Sequence, residues 1–212
     1  MLPETANPLL PALHDTLKRM TIAYIGLGSN LPSHAGPPDA TLAAAALRLA
    51  SLGRLIARSP LYSTAPVGFA DQPRFVNAAV ALETELPPHA LLLALLAIEH
   101  DFGRDRSGGF SNGPRTLDLD ILLFGNVILL ESGLEIPHPR LAQRAFVLVP
   151  LNEIAPHAVD PRSGKSVSQL LQSLFPSLKD EIDAVVPIQS DIWRADAGGV
   201  ALCPAKPYRS GN

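Results

Sequence analysis

Residues 116–124 read TLDLDILLF, and this stretch says more about the fold than any other part of the 212-residue chain. Side chains of a strand point alternately to opposite faces, so Asp118 and Asp120 are predicted to share one face. Leu117, Leu119 and Ile121 are predicted to share the other face. The stretch is therefore expected to form a strand with buried apolar residues and two presented aspartates.

Strand and helix patterns alternate before this strand. Residues 22–28 and 55–64 are predicted to be strands, and they flank a predicted helix that Asp39 can cap and that stops at Gly53. Residues 75–83 alternate as a third strand. The first helix keeps apolar spacing at Leu42, Ala46 and Leu49, and a second, opened by Pro87 and Pro88, does so at Leu91, Leu95, Ile98 and Phe102.

The elements that follow complete the pattern. The strand over 116–124 is predicted to turn through Gly125 and Asn126 into a hairpin with residues 127–130. A further strand is predicted over 146–151 and a helix around 167–175. The order strand, helix, strand, strand, helix, strand, with an added hairpin, predicts an α+β fold of the ferredoxin-like sandwich type.

Composition and charge argue against several classes of protein. The 17 basic and 20 acidic residues give a net charge of −3, which lacks the basic excess of proteins that bind nucleic acid. No apolar run approaches the roughly 20 residues that span a bilayer, and the single cysteine, Cys203, fits a reducing compartment. We therefore expect a cytoplasmic protein that binds neither nucleic acid nor membranes.

The two ends of the chain differ in character from its middle. Residues 1–20 hold three prolines and are interpreted as an N-terminal extension. Residues 185–212 have weak periodicity and closing prolines, so we expect a C-terminal tail that forms no element of the core. The middle, 21–184, is predicted to be a single domain.

A loop rich in arginine and glycine precedes the two aspartates. Arg104, Arg106 and Arg115 surround three glycines in GRDRSGGFSNGPR, residues 103–115, and such a loop can carry cations over a bound anion. Paired carboxylates on one strand face suit Mg²⁺, and Mg²⁺ beside arginines is the machinery of phosphoryl transfer. The same residues also fit a solvated polar face beside an exposed loop.

Phe75 and Asn77 form a second candidate group, because period two places them on one face of the third strand. An aromatic ring and an amide so placed can stack a flat heterocycle and bind its edge by hydrogen bonds. A core phenylalanine beside a structural asparagine would give the same pattern.

Longer motifs extend these observations over residues 23–160. They read AYIGLGSNL from 23, LYSTAPVGFADQPRFVNAAV from 61, GPRTLDLDILLFG from 113 and IPHPRLAQRAFVLVPLNEIAP from 136. Together they resemble the 6-hydroxymethyl-7,8-dihydropterin pyrophosphokinases, folate-pathway enzymes that move a pyrophosphoryl group from ATP to a pterin hydroxymethyl group. The third and fourth motifs are the most specific.

The resemblance implies a role for each matching residue. Asp118 and Asp120 would bind two Mg²⁺ ions, and Arg104 and Arg115 would hold the transferring phosphates and stabilise the transition state. ATP contacts are implied for Glu99, Arg104, Arg106, Arg115, Ile121, His138 and Arg144. Pterin contacts are implied for Thr64, Val67, Phe75, Asn77, Asp118 and Phe146. The implied partners are two small molecules, ATP and the pterin, and the implied assembly is a monomer.

Two other functions stay open on the sequence. One is Mg²⁺-dependent phosphoryl transfer to a different acceptor. The other is a ferredoxin-like binding module without turnover, which keeps a nucleotide pocket for regulation.

Overall fold

The computed structural model describes residues 20–105, 113–195 and 203. Its strands are β1 (Thr21–Ser29), β2 (Arg54–Arg58), β3 (Leu61–Thr64), β4 (Phe75–Thr84), β5 (Asp118–Phe124), β6 (Leu129–Glu131), β7 (Leu134–Ile136) and β8 (Val186–Ile188). Its helices are α1 (Pro38–Leu49), α2 (Pro88–Asp101), α3 (Ala145–Ile154), α4 (Val167–Asp183) and α5 (Asp191–Ala195).

One antiparallel sheet organises the molecule. Its strands run in the order β5-β1-β4-β3-β8, and β2 pairs with the other end of β4. The predicted strands around 22–28, 75–83 and 116–124 and the two predicted helices between them are confirmed. The structure is thus a mixed α/β fold built on an antiparallel sheet.

Helices cover both faces of this sheet. On one face, α1 and α2 pack their apolar stripes against β1 and β5, with Ile25, Leu42 and Leu95 fully buried. On the other face, α3 and α4 pack over β3, β4 and the end of β5, and Leu148 and Leu171 are fully buried there. Apolar side chains are thus buried on both faces of the sheet.

Three predicted elements take a different form. The strand over 55–64 is two strands, because Pro60 cannot donate to a ladder and Ser59 turns inward to bond Ala79. Residues 127–130 do not form a hairpin with β5; β6 pairs with β7 instead. The strand predicted over 146–151 is helix α3, which is buried between the sheet and α4, where a continuous apolar run suits either element.

The ends of two helices also differ from the expectation. Helix α1 has Pro37 at its N-cap, and Asp39 lies inside the first turn, where its carboxylate accepts from the Ser190 hydroxyl at 2.8 Å. Helix α4 begins at a capping box made by Ser166 and Gln169 and continues beyond the predicted end at 175 to Asp183. Asp39 therefore anchors the C-terminal segment rather than capping α1.

The C-terminal segment contributes to the core, contrary to the expectation for residues 185–212. In the described part of that segment, β8 pairs with β3, and Trp193 of α5 is 2% exposed. The Trp193 indole N–H donates to the Ser59 carbonyl at 2.9 Å, and the Arg58 guanidinium lies 4.5 Å from the ring centroid. The tail is thus fixed by apolar burial, a hydrogen bond and a cation–π contact.

Across residues 20–105 and 113–195, the helices are too short or too polar to span a bilayer.

Replacing Trp193 with alanine is expected to destabilise the protein strongly. The change leaves a cavity and removes the face on which buried Arg58 stacks, so we expect a loss of about 3–5 kcal/mol in the free energy of unfolding. Urea denaturation of the two proteins measures it. The adjacent Ile192, which is 46% exposed, provides the control. Its alanine variant is expected to change stability by less than about 0.5 kcal/mol, and equal losses for both variants would contradict a core role for Trp193.

Candidate active site

The register of the sheet brings two polar residues and a glycine into one row. Gly28 of β1 lies opposite Asn77 of β4 on one side and opposite Asp118 of β5 on the other. A Cβ added at Gly28 would come within 3.0 Å of the Asn77 Oδ1 and 3.7 Å of the Asp118 Cβ. The glycine therefore leaves open space between an amide and a carboxylate, and Gly26 lies opposite Asp120 one step along the same strands.

A cavity of about 210 Å³ opens over this row. Eleven of the fourteen residues predicted for the site line it: Thr64, Val67, Phe75, Asn77, Arg104, Arg115, Asp118, Asp120, His138, Arg144 and Phe146. Ile121 lines an adjoining cavity together with Asp120 and His138, Glu99 is buried nearby, and Arg106 lies outside the described residues. The fold thus brings predicted site residues that are far apart in the chain into one cavity.

The sequence analysis missed three residues that line the same cavity: Gly28, Ala65 and Arg140. Arg140 could have been found from its position two residues after His138 in the quoted PHPR motif. Gly28 gives no such signal, because its role depends on its neighbours across the sheet rather than on its neighbours in sequence.

Two arginines hold the Asp118 carboxylate in place. Arg104 donates to one carboxylate oxygen, and Arg115 Nη1 donates to the other at 3.1 Å. Arg104 Nη1 also donates to the Leu117 carbonyl at 2.9 Å. Burial alone would lower the pKa of Arg104, but Asp118 and then Glu99 raise it, so this guanidinium stays charged.

Glu99 on α2 supports Arg104 from beneath. Its side chain is 1% exposed, and Oε1 accepts from Arg104 Nη1 at 2.9 Å and from the Leu119 backbone N–H at 2.8 Å. The Leu119 amide lies between the two aspartates along β5. Glu99 therefore links α2, Arg104 and the backbone of the aspartate strand through a single carboxylate oxygen.

Asp120 and His138 form a second polar pair. Desolvation, followed by the charge of Asp118, raises the pKa of Asp120 to about 6. Burial, followed by Arg144 and Arg140, lowers the pKa of His138 to about 4, so its ring is neutral at pH 7. His138 Nδ1 accepts the Arg140 backbone N–H at 3.0 Å, which leaves Nε2 to carry the proton, 4.0 Å from Asp120.

The aspartate pair fits Mg²⁺. Carboxylate oxygens are the hard ligands this ion prefers, and Mg²⁺ usually takes one or two protein carboxylates, with water and substrate phosphates completing its shell. Within the described residues, histidine, cysteine and acidic side chains form no group of three that could hold a metal, so the protein would supply few ligands. Desolvation and then the negative charge of Asp118 raise the pKa of Asp120, and a bound cation would compensate that charge.

Two aromatic rings also form part of the cavity lining. Phe75 and Phe146 both line it, and each ring has a guanidinium over it, Arg115 at 5.2 Å and Arg144 at 5.3 Å from the centroids. Asn77 Nδ2 donates to the Thr64 hydroxyl at 2.7 Å, which fixes the orientation of the amide. The pocket thus joins a flat apolar region to a region that can bind anions and metal.

Replacing Asp120 with asparagine is expected to stabilise the metal-free protein in a pH-dependent way. The raised pKa means that folding disfavours the ionised carboxylate, so Asp120 destabilises the fold increasingly as pH rises through about 6. Below the ordinary value of 3.8 the carboxyl is neutral in both states and this penalty disappears. In buffer with chelator, the asparagine variant should therefore melt above the wild type at pH 7.5 and by a smaller margin at pH 4.5.

The control for this measurement is Asp101→Asn, which removes an exposed carboxylate paired with Arg48. It is expected to give no stabilisation at pH 7.5. A margin for Asp120→Asn that is constant with pH would contradict the charge argument.

Comparison with known proteins points to one family of enzymes. The family model described as 7,8-dihydro-6-hydroxymethylpterin-pyrophosphokinase matches residues 24–156. A 2-amino-4-hydroxy-6-hydroxymethyldihydropteridine pyrophosphokinase from Methylorubrum extorquens is 46% identical over 160 residues, covering 74% of this chain and 96% of that protein. One with the same name from Pseudomonas aeruginosa is 49% identical over 149 residues, covering 70% and 88%.

A solved structure shows the same fold in a longer protein. The wild-type HPPK-DHPS of Plasmodium falciparum superposes with a TM-score of 0.58 at 17% identity. The match covers 76% of this chain and 46% of that one, so the chain spans less than half of the longer protein. On the match over residues 24–156 and the two bacterial relatives, the chain belongs to the 7,8-dihydro-6-hydroxymethylpterin-pyrophosphokinase family.

Proposed function

We propose that this protein transfers a pyrophosphoryl group from ATP to 6-hydroxymethyl-7,8-dihydropterin in folate biosynthesis, giving AMP and the pterin diphosphate. The observation that carries the proposal is the cavity that Asp118 and Asp120 line together with arginines and two phenylalanines. Such a cavity can hold a phosphate chain and a flat heterocycle next to each other. The relatives that match the chain are named for this substrate class.

The aromatic side of the cavity is the proposed pterin site. Phe75 and Phe146 offer ring faces on which a bicyclic ring can stack, and the Asn77 amide can bind the polar edge of that ring. Thr64 accepts from Asn77 Nδ2, so the second amide proton and the oxygen stay available. Val67 and the main chain near Thr64 would complete the contact with the ring edge.

The charged side is the proposed site of the transferring phosphates. Arg104 and Arg115 are already ordered on Asp118, so they need little rearrangement to share their remaining N–H groups with phosphate oxygens. Arg144 and neutral His138, which line the same cavity, are proposed to contact the nucleotide. Ile121 and Arg106 are proposed to contact it as well. Glu99 acts from beneath by holding Arg104, since its own carboxylate is buried.

Asp118 and Asp120 are the residues that would hold Mg²⁺, proposed here as two ions. When bound, the metal neutralises phosphate oxygens and orients the phosphate chain. The reaction we propose is in-line attack of the pterin hydroxyl on the β-phosphorus of ATP, with AMP as the leaving group. Binding places both reactants in one cavity, so positioning and charge neutralisation suffice and no covalent enzyme intermediate is required.

We further interpret the sheet as ferredoxin-like. If β2 and β3 are taken as one interrupted strand, the chain order is strand, α1, strand, strand, α2, strand, and the order across the sheet is β5-β1-β4-β3. Helices α3 and α4 and the pair of β6 and β7 are then additions to that core. We propose one catalytic domain from residue 21, with β8 and α5 packed against it.

The test of the proposed function is the formation of AMP. Purified protein with MgATP and 6-hydroxymethyl-7,8-dihydropterin should produce AMP, and leaving out either the pterin or Mg²⁺ should abolish it. Asp120→Ala is expected to lower turnover by about three orders of magnitude, because a catalytic metal contributes several kcal/mol. Asp101→Ala, a surface aspartate, should keep normal turnover. ADP as the product, or binding of both ligands without turnover, would contradict the proposal.

Replacing Phe75 with alanine is expected to separate the two halves of the site. Loss of one stacked ring should weaken pterin binding by about 5- to 100-fold, since stacking on an aromatic side chain contributes about 1–3 kcal/mol. ATP affinity should stay unchanged. Phe75→Tyr keeps the ring and should keep pterin affinity, which fluorescence titration measures. Equal pterin affinity in Phe75→Ala and wild type would favour a different acceptor.

A further inference from the structure

Arg74 ties together two segments beside the proposed pterin site. Its Nε donates to the Ser63 hydroxyl at 2.9 Å, and its Nη2 donates to the Ser63 carbonyl at 3.2 Å. The same Nη2 donates to the Ala184 carbonyl at 3.3 Å. One guanidinium thus joins the end of β3 to the residue at the C-cap of α4.

The residues next to these contacts form the wall of the cavity. Thr64 follows Ser63, and Phe75 follows Arg74, and the two wall residues face each other in the register of β3 and β4. Asn77 Nδ2 donates to the Thr64 hydroxyl, so the amide orientation depends on where Thr64 lies. A displacement of Ser63 or Arg74 would therefore move Thr64 or Phe75, the two residues of this wall.

The end of β3 is paired with β4 on one side, where Ser63 and Thr64 lie opposite Val76 and Phe75, but its pairing on the other side ends earlier. Pairing with β8 stops at Ser63, which lies opposite Val186, so Thr64 has no partner in β8. A second cavity, of about 290 Å³, lies between Thr64, Ala65 and Val67 on one side and Ala184 and Val185 on the other. Ala145 and Phe146 also line this cavity, so open space borders Thr64 where the β3–β8 ladder has ended, and the Arg74 hydrogen bonds join the two segments beside that space.

We propose that Arg74 is a positioning residue for the pterin half of the site, because it fixes the Thr64 and Phe75 wall by bridging Ser63 to Ala184. This inference rests on the proposed function. Arg74 is not among the residues that line the substrate cavity, so it acts through its neighbours rather than on the substrate. It couples the C-terminal segment, which lies beyond the family match over 24–156, to pterin recognition.

The test compares Arg74→Ala with Arg54→Ala in the full-length protein. Arg54 is an exposed arginine of the same sheet that bonds Glu83 Oε2 through Nε and Nη2, at 3.0 and 2.8 Å, remote from the cavity. Loss of the Arg74 bridge should raise the pterin KM by about 3- to 10-fold, the effect expected for one or two net hydrogen bonds. The ATP KM, kcat and melting temperature should stay at wild-type values, and Arg54→Ala should leave all four unchanged.

A double-mutant cycle with Ser63→Ala tests whether Arg74 acts through Ser63. Ser63→Ala alone should raise the pterin KM less than Arg74→Ala, because the Ser63 carbonyl still accepts from Arg74. In the Arg74→Ala background it should add nothing, since the partner of its hydroxyl is gone. Arg74→Lys, which has one nitrogen for the carbonyls and no second donor like Nε for the Ser63 hydroxyl, should recover only part of the affinity.

The outcomes separate this inference from the proposed function. An unchanged pterin KM in Arg74→Ala, equal rises in both KM values, or additive effects of the two substitutions would overturn the positioning role while wild-type AMP formation keeps the function. Pterin affinity is also measured directly by fluorescence titration. A wild type that binds no pterin would overturn both.

Discussion

The charge arrangement around Asp118 is the constraint on which the site depends. A carboxylate on β5 lies between two guanidiniums, and one of these rests on Glu99, which is almost fully buried. Burying the Glu99 carboxylate without a cation beside it would cost several kcal/mol of folding free energy. Displacing Arg104 from this position is therefore unfavourable. Glu99, Arg104, Asp118 and Arg115 therefore act as one unit. It ties helix α2 to strand β5, and the position of the two aspartates depends on both elements.

The sheet carries this arrangement across to the aromatic side. Asn77, Gly28 and Asp118 lie on three adjacent strands in one row, so the separation between the amide and the carboxylate follows from strand spacing rather than from side-chain choice. A residue other than glycine at position 28 would fill the space in that row. Regular antiparallel pairing thus sets the scale on which a heterocycle and a phosphate chain fit next to each other.

Period two in β5 and the arginines before it are local patterns, and the structure places the two aspartates and Arg104 and Arg115 around one cavity. The sequence predicts less where the outcome depends on distant partners. The run AFVLVPL over 145–151 is apolar throughout, so no periodicity separates a buried strand from the helix that α4 and the sheet stabilise. The turn expected at Gly125 and Asn126 forms, with Val127 N–H donating to the Phe124 carbonyl, but the residues after it pair with β7 rather than with β5. Trp193 finds its place beside Arg58, 135 residues away in sequence.

The charges that suit this site for binding a ligand also oppose the stability of the fold. Asp118 is compensated by two arginines, whereas Asp120 has a raised pKa and a side chain still 41% exposed, and the cations nearest to it are in Arg144 and Arg104. Arg144 in turn has a lowered pKa through burial and through Arg140, so like charges crowd on that side of the cavity. Anionic phosphates would relieve the crowding of the arginines, and a divalent cation would relieve that of the aspartates. The cavity therefore combines arginines and aspartates whose charges are only partly compensated, and a metal-bound phosphate chain carries charges of both signs that would compensate them.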